Sequence, residues 1–278
     1  MADKADTHGG MRYGTAMSID FSRNAGIYDR RHGRVVDPDL VRKLVEAAGL
    51  KPGQPVLDLA SGTGRVALGL ARAGFDVTAT DISADMLGAL AAKADGTGLR
   101  TRVVEGIHLP FADDSQSAVT LARVLYLVRN WRGYLAEIDR IAAPQGVILH
   151  EWGNGDARSP WVRYRERLRE ALAALGHADA FHPGARTEGQ VEARLRELGW
   201  TRAASVPSGP GTPMTLGDFI RMVETGEASY LWHVPVEIAA HVVEGMRVWA
   251  TDTLGELGQR MELPGDARWR IYRRTRLA

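Results

Sequence analysis

The chain has 278 residues, a length that suits one domain with a cap, and its 45% hydrophobic and 25% charged residues are ordinary for a globular protein. Its 35 basic and 34 acidic side chains leave a formal net charge of +1, so the sequence carries no electrostatic footprint for a nucleic acid or an anionic membrane. The absence of cysteine excludes disulfides, thiolate metal sites and a cysteine nucleophile. No apolar run is long enough to span a membrane and the N-terminus lacks an apolar signal region, so we expect a cytoplasmic protein without a membrane or nucleic-acid partner.

The first regular elements are expected from residue 37 onward. Asp37 can cap a helix that starts at Pro38, and Gly49 ends its run of apolar residues at helical spacing. Beyond residue 55, strand-like and helix-like stretches alternate. Strands are expected near 56–60, 75–80, 100–104, 117–122 and 146–151, and helices near 64–73, 83–95 and 132–142. This alternation is typical of a parallel sheet covered on both faces, whose strands end at one ligand-binding edge.

The alternation is interrupted twice in the second half of the chain. A helical stretch starts at Ser159-Pro160, and a second interruption with two more helical stretches runs from about 207 to 264. We therefore predict an α/β fold, a Rossmann-like, doubly wound, mostly parallel seven-stranded sheet with a helical lid inserted after strand 5 and between strands 6 and 7. The predicted division is a core of 36–154, completed by 184–208 and 266–278, and an N-terminal segment and helical lid over the substrate site of 1–35, 155–183 and 209–265.

A glycine-containing turn after the first strand indicates a nucleotide-type ligand. Gly62 and Gly64 let the chain turn sharply and let a ligand approach the backbone. Asp81, at the end of the next strand, can accept hydrogen bonds from two ribose hydroxyls. The same pattern would suit NAD, but Asp58 in the preceding strand repels a pyrophosphate and suits the ammonium and sulfonium groups of S-adenosylmethionine. A purely structural role for Asp58 is the alternative.

Several stretches, in the correct order, resemble the class I S-adenosylmethionine-dependent methyltransferases, particularly their small-molecule type 11 group. They are Asp58-Leu-Ala-Ser-Gly-Thr-Gly64, Asp81-Ile82, Glu105-Gly-Ile-His-Leu-Pro-Phe111 and Ile138-Asp-Arg-Ile-Ala-Ala-Pro-Gln-Gly146. The resemblance implies S-adenosyl-L-methionine as cofactor and S-adenosyl-L-homocysteine as product. The cofactor contacts it implies are Tyr28, Asp58, Ala60, Ser61, Gly62, Gly64, Asp81, Ile82, Met86, Glu105, Gly106, Ile107 and Arg123.

The chemistry of methyl transfer restricts which side chains are needed. The reaction is an in-line displacement without a covalent enzyme intermediate, so we expect positioning, with or without a general base, and no catalytic triad. The candidate catalytic residues are His150, Tyr126 and His233. Because neighbouring strand residues face opposite ways, we expect only one of His150 and Glu151 to meet the substrate. The aromatic residues predicted to line the substrate pocket are Trp152, Trp161, Tyr230 and Trp232. For Trp161 packing within the lid is the favoured interpretation, and for Tyr230 and Trp232 packing would account for the pattern equally.

The leading hypothesis is a methyltransferase that modifies an oxygen, nitrogen or carbon nucleophile of a small, apolar or aromatic metabolite, with specialised metabolism as a family-level expectation. One alternative keeps the cofactor but performs a non-methylating step such as cyclisation. A less favoured alternative is an NAD-dependent oxidoreductase. No spacing of histidine and acidic residues predicts a metal site, and the sequence does not decide between a monomer and a homodimer.

Overall fold

The computed structural model describes residues 26, 29, 33–105, 107–153, 159–177, 183–209, 214–232, 234–258, 260–261 and 268–275. The helices are α1 Pro38–Ala48, α2 Ala67–Arg72, α3 Ala84–Ala91, α4 Trp131–Ile141, α5 Pro160–Ala174, α6 Glu188–Glu197, α7 Leu216–Glu224 and α8 Val236–Leu254. The strands are β1 Pro55–Leu59, β2 Asp76–Asp81, β3 Arg100–Val103, β4 Gln116–Ala122, β5 Ala142–Glu151, β6 Trp200–Pro207, β7 Met214–Thr215, β8 Arg260–Met261 and β9 Arg268–Arg274.

Helix α1 begins and ends where the sequence indicates. The Asp37 side chain accepts a hydrogen bond from the backbone N–H of Asp39 at 2.8 Å, and Gly49 adopts φ +63° after the last turn. Helix α2 begins later than predicted, at Ala67, because residues 61–66 are used by a turn in which the Gly64 N–H donates to the Ser61 carbonyl.

The seven main strands lie in the order β3-β2-β1-β4-β5-β9-β6. Strand β9 is antiparallel to both of its neighbours, whereas the other neighbouring pairs are parallel. The prediction of an α/β fold built on a mostly parallel seven-stranded sheet is therefore confirmed. Strands β1, β2, β4 and β5 end at one edge, which we call the carboxyl edge.

Each face of this sheet is covered by its own apolar cluster. Helices α1, α2 and α3 pack on one face against the side chains of Val56, Val147 and Leu149. Helices α4 and α6 pack on the opposite face against those of Leu57 and Ile148. Alternate residues of each strand point to opposite faces, so the strands are buried on both sides, as expected for the interior of a parallel sheet.

Helices α5, α7 and α8 share a third apolar cluster, which we call the helical cluster. It contains Trp161, Tyr164, Leu168, Leu172, Leu216, Phe219, Ile220, Met222, Val223, Ala228, Leu231, Val234, Val242, Met246 and Ala250. These helices follow β5 or lie between β6 and β9, where the sequence places the two insertions. Over the described ranges, no helix is both long enough and apolar enough to cross a membrane.

Candidate active site

The turn between β1 and α2, residues 60–66, which we call the glycine loop, requires residues that tolerate left-handed backbone. Ala60, Gly62 and Gly64 have φ values of +53°, +54° and +91°. A Cβ on Gly64 would lie 2.2 Å from Cδ1 of Leu90 in α3, so this glycine is needed both for its φ and for the close approach of α3. The glycine loop is thereby packed directly against the helix that follows β2.

Asp58 lies inside the sheet just before the glycine loop and is only 2% exposed. The Thr120 hydroxyl in β4 donates to Asp58 Oδ1, while Oδ2 has no hydrogen-bond partner among the described residues. Burial raises the pKa of Asp58 to about 6, although the bond from Thr120 acts in the opposite direction. A buried carboxylate oxygen without a donor is expensive, so this oxygen is well suited to a cationic group.

Asp81 ends β2 beside the same loop and is 7% exposed. Its Oδ2 accepts a hydrogen bond from the Gly62 N–H at 2.8 Å, and its Oδ1 accepts one from the Ser83 N–H at 3.0 Å. Burial raises the pKa of Asp81, and these backbone hydrogen bonds oppose that rise. A carboxylate has about four acceptor positions, so two remain for a ligand carrying neighbouring hydroxyls.

The other predicted cofactor contacts differ in their exposure. Ile82 follows β2 directly and is half-buried, Met86 is buried in α3, and Ile107 packs against the α4 face of the sheet. Glu105, just beyond β3, is exposed. The predictions for Tyr28 and Gly106 fall outside the described residues.

At the ends of β4 and β5, the predicted cofactor contact Arg123 is bonded to Glu151. Its Nε lies 3.1 Å from Glu151 Oε2, and its N–H donates to the Glu151 carbonyl at 2.8 Å. Burial would raise the pKa of Glu151, but Arg123 and Arg65 together hold it below its usual range. This carboxyl therefore stays ionised at neutral pH.

His150, one residue earlier in β5, is 1% exposed and faces the other side of the sheet. Its ring lies 6.2 Å from that of Trp152, which in turn contacts Tyr126 edge-on at 5.8 Å. Burial, reinforced by Arg270 on the neighbouring strand, lowers the pKa of His150 to about 4, against a smaller opposing effect of Glu151. Neither ring nitrogen has a hydrogen-bond partner among the described residues. The structure thus brings three predicted residues together around a neutral imidazole.

Of the remaining predicted substrate residues, Trp161 belongs to the helical cluster and Tyr230 packs against it. Trp161 packs on Phe219 with ring centroids 4.8 Å apart, and Tyr230 lies 6.2 Å from the same ring. The indole N–H of Trp232 donates to the Gly226 carbonyl at 2.6 Å. These contacts correspond to the packing alternative stated above. His233 lies outside the described residues.

Comparison with known proteins connects this geometry to one family. Residues 57–150 match a family described as "Methyltransferase domain". A curated demethylmenaquinone methyltransferase from Streptomyces avermitilis is 31% identical over 175 residues, which cover 59% of this chain and 75% of the relative. The chain belongs to the class I S-adenosylmethionine-dependent methyltransferases.

Other comparisons show how far the similarity to methyltransferases extends. Seven further curated enzymes with the same name are 34–39% identical, and their alignments cover 49–52% of this chain and 58–61% of the relatives. The YcgJ protein of Bacillus subtilis has the same fold, with a TM-score of 0.58 at 16% identity, covering 86% of this chain and all of the other. The [4+2]-cyclase SpnF also shares the fold, with a TM-score of 0.52 at 17% identity, covering 85% and 80% of the two chains.

Some contacts within this candidate site were not identified from the sequence. Thr120 bonds Asp58 across two strands, Arg65 and Arg123 meet at Glu151, and Arg270 lies opposite His150. Each depends on pairing between strands that are distant in the sequence, so no local motif reveals it. The one sequence signal for the contact of Glu151 with the arginines was an acidic residue at the end of a strand, together with arginines that follow two other strands. No group of three histidine or acidic residues in the described part of the chain is placed to hold a metal ion.

Proposed function

We propose that this chain binds S-adenosyl-L-methionine at the carboxyl edge and transfers its methyl group to an oxygen, nitrogen or carbon nucleophile of a small, apolar or aromatic metabolite. The observation that carries the proposal is the buried Asp58, whose Oδ2 has no partner among the described residues and which directly precedes the glycine loop. Asp81, at the end of the next strand, accepts a hydrogen bond from Gly62 in the same loop and has acceptor positions that remain free.

The residues present fit this cofactor chemically. An ammonium group would supply donors to Asp58, ribose hydroxyls would occupy the free acceptor positions of Asp81, and Ile82 offers apolar surface for a purine. When bound, the cofactor supplies a methyl group that is electrophilic because it is attached to a sulfonium. The chain itself contributes the fixed glycine loop and a low-dielectric edge, and positioning of this kind is worth about 7–11 kcal/mol in favourable cases.

His150 is the residue best suited to receive a proton from the acceptor. Its nitrogens have no partner among the described residues, and the imidazole is neutral at pH 7, although a pKa of about 4 makes it a weak base. Tyr126 and Trp152 add aromatic surface beside it, which favours an acceptor with an apolar or aromatic body. The name of the Streptomyces avermitilis relative supports a small-molecule acceptor.

A non-methylating reaction is the second candidate function. It is supported by the fold alone, since a [4+2]-cyclase has the same architecture. Nothing in the described geometry favours it over methyl transfer. An assay of the acceptor product by mass spectrometry separates the two, because only methyl transfer adds 14 mass units to the acceptor and releases S-adenosylhomocysteine.

Calorimetric titration with S-adenosylmethionine and, separately, NADH tests the cofactor. We expect binding of the first alone and at least a fifty-fold weaker Kd in Asp81→Ala, because hydrogen bonds to a charged group contribute about 1.5–3 kcal/mol each. Asp76→Ala, at the exposed start of the same strand, is the matched control and should change Kd less than two-fold. Binding of NADH alone, or of neither compound, contradicts the proposal.

The role of His150 is tested by its substitution once an acceptor is found by screening. His150→Gln should lower kcat by about 10²-fold, the low end of the range for loss of a general base because a group with a pKa of about 4 is weakly basic, with little change in cofactor Kd. His241→Gln, an exposed histidine in α8, is the control. Retention of full kcat in His150→Gln contradicts the assignment of the base but leaves the cofactor site intact.

A further inference from the structure

Glu151, the last residue of β5, has a fully buried carboxylate that the proposed reaction does not use. Its side chain lies on the sheet face covered by α2, opposite to His150, and accepts a bond from Arg65 Nη2. Its Oε2 is also 3.1 Å from Arg123 Nε, and its Oε1 is 3.5 Å from Arg123 Nη2. One buried carboxylate therefore joins two arginines that come from different loops.

Arg65 connects Glu151 to the glycine loop. It directly follows Gly64, and its carbonyl accepts a hydrogen bond from the Val36 N–H at 2.9 Å. The side chain of Arg65 thus ties the glycine loop to the end of β5, while its backbone ties the segment before α1 to the same point. Removing the negative charge of Glu151 would release this arginine from the sheet.

Arg123 connects Glu151 to the turn after β4. Its φ of +58° is a left-handed conformation that costs a residue other than glycine about 1–2 kcal/mol. The neighbouring Gly153 leaves room for it, since a Cβ there would lie 2.5 Å from Arg123 Cγ. The bonds from Arg123 to both the side chain and the carbonyl of Glu151 hold this turn in its strained form.

Glu151 differs from the buried Asp58 and His150 because both of its carboxylate oxygens already accept from Arg65 or Arg123, so it is not placed to bind a ligand at the carboxyl edge itself. Its contacts with the loops at this edge are made through the two arginines. The two loops that it joins follow the neighbouring strands β1 and β4: the glycine loop, packed on α3, and the turn after β4, the strand that carries Thr120 opposite Asp58.

We propose that Glu151 is a positioning residue for the cofactor, whose carboxylate holds the glycine loop and the turn after β4 in the spacing that the cofactor requires. This inference rests on the proposed function. It predicts that cofactor affinity depends on a carboxylate that the cofactor does not touch, through Arg65 and Arg123.

The test is the calorimetric Kd for S-adenosylhomocysteine, measured well below the thermal midpoint of each variant. Glu151→Gln should weaken binding at least ten-fold. The matched control is Asp139→Asn at the opposite edge of the sheet, where a half-buried carboxylate accepts from Trp200 Nε1 at 2.8 Å and pairs with Arg274 at 3.3 Å. Asp139→Asn should lower the thermal midpoint but change Kd less than two-fold.

A Glu151→Gln protein that is less stable but binds as tightly as wild type overturns the proposal and leaves Glu151 with a purely structural role. If Glu151→Gln does not fold, Arg65→Gln provides the test, because Glu151 then keeps its bonds to Arg123. An at least five-fold weaker Kd supports the proposal, and an unchanged Kd overturns it. Absence of binding by the wild type overturns the proposed function itself, and with it this inference.

Discussion

The glycine loop and the helical cluster are both tightly packed, but they place different demands on the sequence. At the glycine loop, single positions accept one residue type, since Gly64 must lack a Cβ and Asp81 must accept from two backbone N–H groups. In the helical cluster, Trp161, Phe219 and their neighbours contribute apolar volume, and other apolar residues of similar size can supply that volume. The glycine loop therefore requires a recognisable sequence motif, whereas the helical cluster requires only apolar residues at helical spacing.

This comparison predicts that the largest loss of stability comes from the helical cluster, without loss of cofactor affinity. Trp161→Ala should lower the free energy of unfolding by about 3–5 kcal/mol, the usual range for emptying a buried aromatic site. The Kd for S-adenosylhomocysteine should change less than two-fold. Denaturant unfolding and calorimetry check the two values, and a parallel loss of affinity would show that the two regions are coupled.

A substitution in the glycine loop should lower both the free energy of unfolding and the cofactor affinity. Gly64→Ala combines a left-handed backbone with a contact of 2.2 Å to Leu90, so we expect a loss of about 2–4 kcal/mol together with weaker cofactor binding. The control is Gly96→Ala, which has φ +71° but open space around the added Cβ. It should lose only about 1–2 kcal/mol and keep its affinity. Equal effects in the two variants would disprove the role of the Leu90 contact.

The buried histidine adds a pH dependence to the comparison. Because the pKa of His150 is about 4 in the folded state and near 6.5 when unfolded, the unfolded chain binds the extra proton between these values. Stability from this group is therefore complete above pH 6.5 and falls by about 3 kcal/mol as the pH drops to 4. His150→Gln should flatten this part of the curve of unfolding free energy against pH.

The smallest expected effect on stability is a gain, and it is expected from substitution of Asp58. The raised pKa of Asp58, about 6 against an unfolded value near 3.8, means that its ionisation destabilises the ligand-free protein as the pH rises through this window. Asp58→Asn should therefore stabilise the ligand-free protein at pH 7.5 by about 1–3 kcal/mol while weakening cofactor binding about ten-fold or more. Unfolding curves and calorimetry at pH 7.5 measure both, and a destabilised variant would favour the structural role of Asp58.

The wild-type protein should show the link between the charge of Asp58 and cofactor affinity when the pH is changed. Cofactor affinity should fall as the pH is lowered through about 6, since protonation of Asp58 removes the charge that attracts a cation. In Asp58→Asn this part of the pH dependence should disappear. A cofactor affinity that does not change with pH in the wild type would contradict this role of the Asp58 carboxylate.

The sequence predicted the region with strict local demands well. The strand that contains Asp58, the turns at Gly62 and Gly64 and the acid at the end of β2 follow from local sequence patterns, and the sheet class followed from the alternation of strands and helices. Glu151 was considered only as a neighbour of His150, because its arginine partners lie in the loops after β1 and β4 and meet it only in the folded sheet. The roles predicted for Trp161, Tyr230 and Trp232 remain predictions, since aromatic periodicity does not distinguish a pocket from a core.

The antiparallel strand β9 lies between β5 and β6, although residues 208–267 separate it from β6 in the chain. During synthesis, β6 therefore leaves the ribosome well before the strand that connects it to the rest of the sheet. Until residues 268–274 emerge, the edge of β5 is unpaired and presents free backbone groups that can associate with other nascent chains. Protection of β5 by a chaperone during translation would then contribute to the yield of folded enzyme as much as the stability of the finished sheet.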